Sequence, residues 1–72
     1  DFVQDIKIAE DGRAVITRWS GWVHVVEPTG AVRSLQLPRL DPEGLYYTGV
    51  LAGDQVCATL CADVTVVCRP AP

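Results

Sequence analysis

Apolar and polar residues alternate along the chain in segments of six to eight residues rich in Val, Ile, Thr, Trp and Tyr. Turn-forming groups separate them: Asp11-Gly12, Ser20-Gly21, Pro28-Thr29-Gly30, Asp41-Pro42-Glu43-Gly44, Gly53-Asp54 and Ala62-Asp63. A period of two bounded by such groups predicts strands, and no stretch keeps the 3.6-residue period long enough to predict a helix. The expected fold is all-β, an antiparallel meander of about seven short strands. Asp41-Pro42-Glu43-Gly44 suits a type I turn, with Pro presetting φ at its second position.

Loop length fixes which residues pair. Two-residue loops at Asp11-Gly12 and Ser20-Gly21 set Glu10 opposite Arg13, Ile8 opposite Val15, Asp5 opposite Arg18, Trp19 opposite Trp22, Thr17 opposite His24 and Val15 opposite Val26. A three-residue loop at Pro28-Thr29-Gly30 sets Val26 opposite Val32 and Val23 opposite Leu35. In this register Ile6, Ile8, Val15, Thr17, Trp19, Trp22, His24, Val26 and Val32 share an uncharged face, expected to be buried. The other face joins Ile16, Val23, Val25, Leu35 and Leu37 to a charged margin of Asp5, Lys7, Arg18, Glu27 and Arg33, and its apolar centre favours a cover.

A shift of 42 positions brings Ile8 onto Val50, Val15 onto Cys57, Thr17 onto Thr59, Trp19 onto Cys61, Val25 onto Val67 and Pro28 onto Pro70. The pattern divides the chain into a first unit, 1–42, and a second, 43–72, which together form one structural unit. A repeat of this length built from four short strands is the mark of a propeller blade. The second unit is expected to lack the counterpart of the strand at 31–37, leaving an open edge near residues 64–69 to which a strand can add.

The run I-K-I-A-E-D-G-R-A-V-I-T-R-W-S-G-W-V-H-V-V-E-P-T-G-A-V resembles a blade of the NHL, YncE-like and SMP-30/lactonase-type β-propellers. Residues 3–38 carry most of the likeness and residues 45–70 less of it. The resemblance implies a binding scaffold, in some members with metal-dependent hydrolysis. The Glu, Asn and Asp ligand set of those hydrolases cannot be transferred to a chain without Asn. The rival architecture is a small closed β-sandwich or barrel, in which the two sheets cover one another and need no partner.

Length and charge narrow the field. Seventy-two residues make one small domain, and an apolar fraction of 49% supports a water-excluding core. A net charge of -3, with the basic residues scattered singly, offers no footprint for nucleic acid or anionic membrane. No run approaches the roughly 20 apolar residues of a membrane-spanning helix, and no signal peptide is discernible. A chain that starts at Asp1 and contains no Met is expected to be a processed, excised or designed product.

Few residues carry chemistry. Trp19 and Trp22 could stack a sugar, with Tyr46 as an accessory, or simply pack their hairpin. His24, the only histidine, is expected between Thr17 and Ser34 as a satisfied strand residue, which argues against an enzyme complete in this chain. Cys57 and Cys61 lie roughly 13 Å apart along a strand, too far to share a bond or a zinc. Cys57 falls opposite Cys68 across the Ala62-Asp63 turn, a candidate disulfide beside the alternative of buried free thiols. The odd count suits a reducing compartment or a thiol meant for a partner. No metal site or cofactor is expected. The favoured function is a non-catalytic scaffold or processed subunit that completes itself by self-association or with a partner chain. The alternative is a small lectin-like module using Trp19, Trp22, Tyr46 and His24.

Overall fold

Each β-branched or aromatic run forms a strand. In the computed structural model, which describes residues 2–38, 46–60 and 65–71, these are β1 (Val3–Ile8), β2 (Ala14–Arg18), β3 (Trp22–Val26), β4 (Val32–Gln36), β5 (Tyr46–Ala52), β6 (Gln55–Leu60) and β7 (Val66–Pro70). All neighbours are antiparallel and sequential: β1-β2-β3-β4 form one sheet and β5-β6-β7 another, with no barrel closure among the described residues. The expected turns at 41–44 and 62–63 lie outside the described residues.

The register departs from expectation at the first two hairpins. Ile8 pairs with Ala14 and Lys7 with Val15; across the next loop Ala14 pairs with Val26, Ile16 with His24 and Thr17 with Val23. Both loops contain three residues. The amide of Gly12 donates to the carbonyl of Ala9 (3.0 Å), and that of Gly21 to the carbonyl of Arg18 (3.0 Å). Trp19 is therefore a loop residue, not the strand partner of Trp22.

A two-residue turn with Gly second would require positive φ at Asp11 and Ser20 as well. In the three-residue form only the glycine enters that region, at φ 90° for Gly12 and 97° for Gly21, and no non-glycine residue does so among those described. The third hairpin has the expected register, Val26 opposite Val32 and Val23 opposite Leu35.

A one-residue slip turns a strand over. Two slips in succession turn over β2 alone, leaving β1, β3 and β4 in their expected relation. Val15 and Thr17 join Val23, Val25, Leu35 and Leu37, while Ile16 and Arg18 join Ile6, Ile8, Trp22 and His24. The face expected to be buried is therefore the outer one, although Val15 and Thr17, turned over with β2, are buried as expected. Val15, Val23, Val25 and Leu37 pack against Val56, Ala58, Leu60 and Val67 of the second sheet. Ile6 remains 59% and Ile8 70% exposed.

The sheets approach most closely where β5 crosses β1 and β2. Gly49 lies on Thr17, and a Cβ at Gly49 would overlap Thr17 Oγ1. Thr17 is fully buried, and its hydroxyl has no hydrogen-bond partner among the described residues. At the sheet edge Thr48 Oγ1 donates to Asp5 Oδ2, joining β5 to β1 through a carboxylate that stays partly wet.

Candidate functional site

The slip that turned β2 brings Arg18 beside His24. Arg18 ends β2, Trp22 and His24 project two residues apart from β3, and Ser34 stands opposite His24 on β4. Of the two residues expected beside His24, Ser34 is there, whereas Thr17 faces the core and Ile16 takes its place across the strand. The expected register puts the Arg18 side chain on the other face, so the sequence pattern does not show it beside His24. The four residues line a shallow concavity of about 440 Å³.

Hydrogen bonding determines the polarity of this group. Arg18 Nε donates to His24 Nε2 (3.0 Å), and His24 Nδ1 lies 2.6 Å from Ser34 Oγ. A guanidinium has only donors, so Nε2 must accept and Nδ1 carries the ring proton, which it donates to Ser34 Oγ. Neither ring nitrogen in this arrangement can take a proton from Ser34, as nucleophilic catalysis would require. Trp22 lies parallel to the imidazole, with an interplanar angle of 3° and centroids 6.4 Å apart.

The two tryptophans contact different rings. Trp19 meets Phe2 edge to face, centroids 6.1 Å apart, and its amide donates to the Phe2 carbonyl (3.2 Å). It holds the start of β1 and does not line the concavity with Trp22. The side chains of Tyr46 and Tyr47 lie outside the described residues.

Around this polar group stretches an apolar face. Ile6, Ile8, Ile16, Trp22, Val26 and Val32 share it, with large parts of Ile6, Ile8 and Val32 exposed. A second hollow, about 570 Å³, opens between the sheets at the β1-β2 and β5-β6 hairpins and is lined by Lys7, Asp11, Arg13, Val15 and Leu51 among others. There the backbone N–H of Arg13 first, and its guanidinium also, hold the Asp11 carboxyl below its ordinary pKa of 3.8.

On the outer side of the second sheet Cys57 and Cys68 face each other across β6 and β7, with Cα atoms 4.1 Å apart, and are joined in a disulfide. Cys61 lies outside the described residues. Among the described residues no three His, Cys, Asp or Glu side chains gather as metal ligands would. Comparison of the chain with protein-family models, with curated proteins and with solved structures finds no match.

Proposed function

We propose that this chain is a non-catalytic β scaffold of the blade-repeat kind, whose work is association with further copies or with a partner chain. The supporting observation is the face of Ile6, Ile8, Ile16, Trp22, Val26 and Val32, which crosses all four strands of the first sheet and is not covered by the second sheet. A contiguous apolar patch of this kind on a small protein marks an interaction surface. The edge strands β4 and β7 add backbone groups that can pair with another strand. Native mass spectrometry across a concentration series tests the reading: assemblies larger than one chain, or a stable complex with a co-purified chain, are expected. A monomer at every concentration that also binds no partner refutes it.

A second reading, a small binding module for a carbohydrate, is supported by the concavity of Arg18, Trp22, His24 and Ser34, where an aromatic plane stands beside polar groups. Titration with a glycan panel, read by Trp fluorescence and compared with Trp22→Ala, discriminates it. Saturable quenching lost in the variant is expected on this reading, and no change across the panel removes it.

A further inference from the structure

We propose that Asp11-Gly12 is a site of spontaneous covalent modification, isomerisation of Asp11 to isoaspartate, and that Arg13 restrains it in the folded chain by engaging the reacting carboxylate. Asp11 is the only Asp in the sequence followed by Gly, and the chain contains no Asn, so no Asn-Gly competes as a source of the same product. The glycine matters because the attacking atom is its own backbone nitrogen, and the absence of a Cβ leaves the approach to that nitrogen open.

The reaction needs no co-reactant but water. The Gly12 nitrogen attacks Asp11 Cγ and a Cγ–N bond forms. The amide hydrogen and the carboxyl hydroxyl depart together as one water molecule, closing a five-membered succinimide. A second water then opens the ring. Breaking the new Cγ–N bond restores aspartate. Breaking instead the bond from the Asp11 backbone carbonyl carbon to the Gly12 nitrogen leaves the chain running through Cβ and Cγ, with the former backbone carbonyl as a free carboxylate. Ring closure therefore requires three things: a protonated carboxyl that can lose water, a Gly12 nitrogen released from its hydrogen bond, and Cγ turned towards that nitrogen.

The folded loop opposes all three. Asp11 Oδ1 accepts from the Arg13 backbone N–H (3.1 Å) and Oδ2 from Arg13 Nε (2.7 Å), contacts that draw the carboxylate towards residue 13. The same contacts, the backbone N–H first, hold the carboxyl below its ordinary pKa and so favour the ionised form, which is a poor electrophile. The Gly12 amide meanwhile donates to the Ala9 carbonyl (3.0 Å). Both Asp11 contacts are exposed, so they open locally, without unfolding of the sheet. The product does not fit the loop in which it forms. One extra backbone carbon enters between Ala9 and Arg13, where the Ala9 amide donates to the Arg13 carbonyl (2.8 Å) and closes the hairpin, and the carboxylate that accepts from the Arg13 N–H is displaced. Isomerisation thus strikes the loop that sets the register of β1 with β2.

Ageing the chain at neutral pH and physiological temperature tests the proposal. Isoaspartate is counted by methyl transfer from an isoaspartyl carboxyl methyltransferase and located by peptide mass spectrometry. In the folded wild type it is expected to accumulate at residue 11 at least about tenfold more slowly than in the same chain held unfolded in urea. Arg13→Gln, shown to be folded by an unchanged circular dichroism spectrum, is expected to raise the folded rate about threefold, the size of effect that loss of one exposed ion pair allows, and to leave the unfolded rate unaltered. If that variant does not fold, Arg13→Lys takes its place, with the same direction of change expected. Equal rates in the folded and unfolded wild type, or an unchanged rate in a folded Arg13 variant, overturn the restraint. Isoaspartate arising at Asp5 or Asp54 but not at Asp11 overturns the site.

Discussion

Gly49→Ala probes the contact that sets the spacing between the sheets. The new methyl would overlap Thr17 Oγ1 and would have Thr17 Cβ at 3.7 Å and the Cys57 carbonyl oxygen at 3.8 Å. The latter two are ordinary contacts, so the hydroxyl is the whole obstruction. Thr17 is fully buried, and a β-branched side chain in a strand has few rotamers into which it can retreat. The sheets must separate locally, and overpacking of this kind costs about 1–3 kcal/mol. Against the roughly 4–10 kcal/mol expected for a chain of 72 residues, that is a large fraction. It corresponds to a fall in Tm of about 4–8 °C per kcal/mol. Urea unfolding followed by circular dichroism measures it. The double variant Thr17→Ala with Gly49→Ala supplies the decisive arm: with the hydroxyl gone, alanine at 49 is expected to cost less than about 0.5 kcal/mol, a coupling of at least about 0.5 kcal/mol. If the two single effects simply add, or if Gly49→Ala alone is neutral, the sheets do not meet at this contact.

Four further outcomes follow from the same geometry. Reducing the Cys57–Cys68 bond, which closes a sequence separation of 11 residues, is expected to lower stability by about 2–3 kcal/mol, read as a drop in the urea midpoint on adding reductant; no drop argues against the bond. Gly21→Ala forces a side chain to φ 97° and should cost about 1–2 kcal/mol in the same assay, whereas a neutral result would contradict the three-residue loop. The 15N shifts of His24 should report the proton on Nδ1, and Arg18→Ala should move the ring towards the other tautomer; an Nε2-protonated ring in the wild type would contradict the Arg18 hydrogen bond. Asp11 should titrate below 3.8 by NMR, so its contribution is present above the unfolded-state pKa and is lost as pH falls through the lower folded-state value; a midpoint at or above 3.8 would exclude the Arg13 contacts.

Strand content and order were legible in the residues themselves. Val, Ile, Thr and Trp runs between turn formers specify strands locally, and the Pro28-Thr29-Gly30 loop announced its own length and the register of β3 with β4. The loops at Asp11-Gly12 and Ser20-Gly21 did not, because the dipeptides alone suit both a two-residue and a three-residue turn. Gly53-Asp54, with glycine first, makes the two-residue loop that its counterpart Asp11-Gly12 does not, and the fixed 42-residue shift loses one residue of register there.

What the sequence determined by itself is therefore the all-β class, seven strands in order, and the nearness of Cys57 to Cys68 and of His24 to Ser34. Which face is core, and hence that Ile6 and Ile8 meet water, was decided only when the sheets packed, whereas Arg18 meets His24 through the register of β2 with β3. Backbone torsion at two glycines set the parity of β2, and the second sheet covers the face that then holds Val15 and Thr17. A local pattern of period two carries no information about which of its two sides the rest of the molecule will cover.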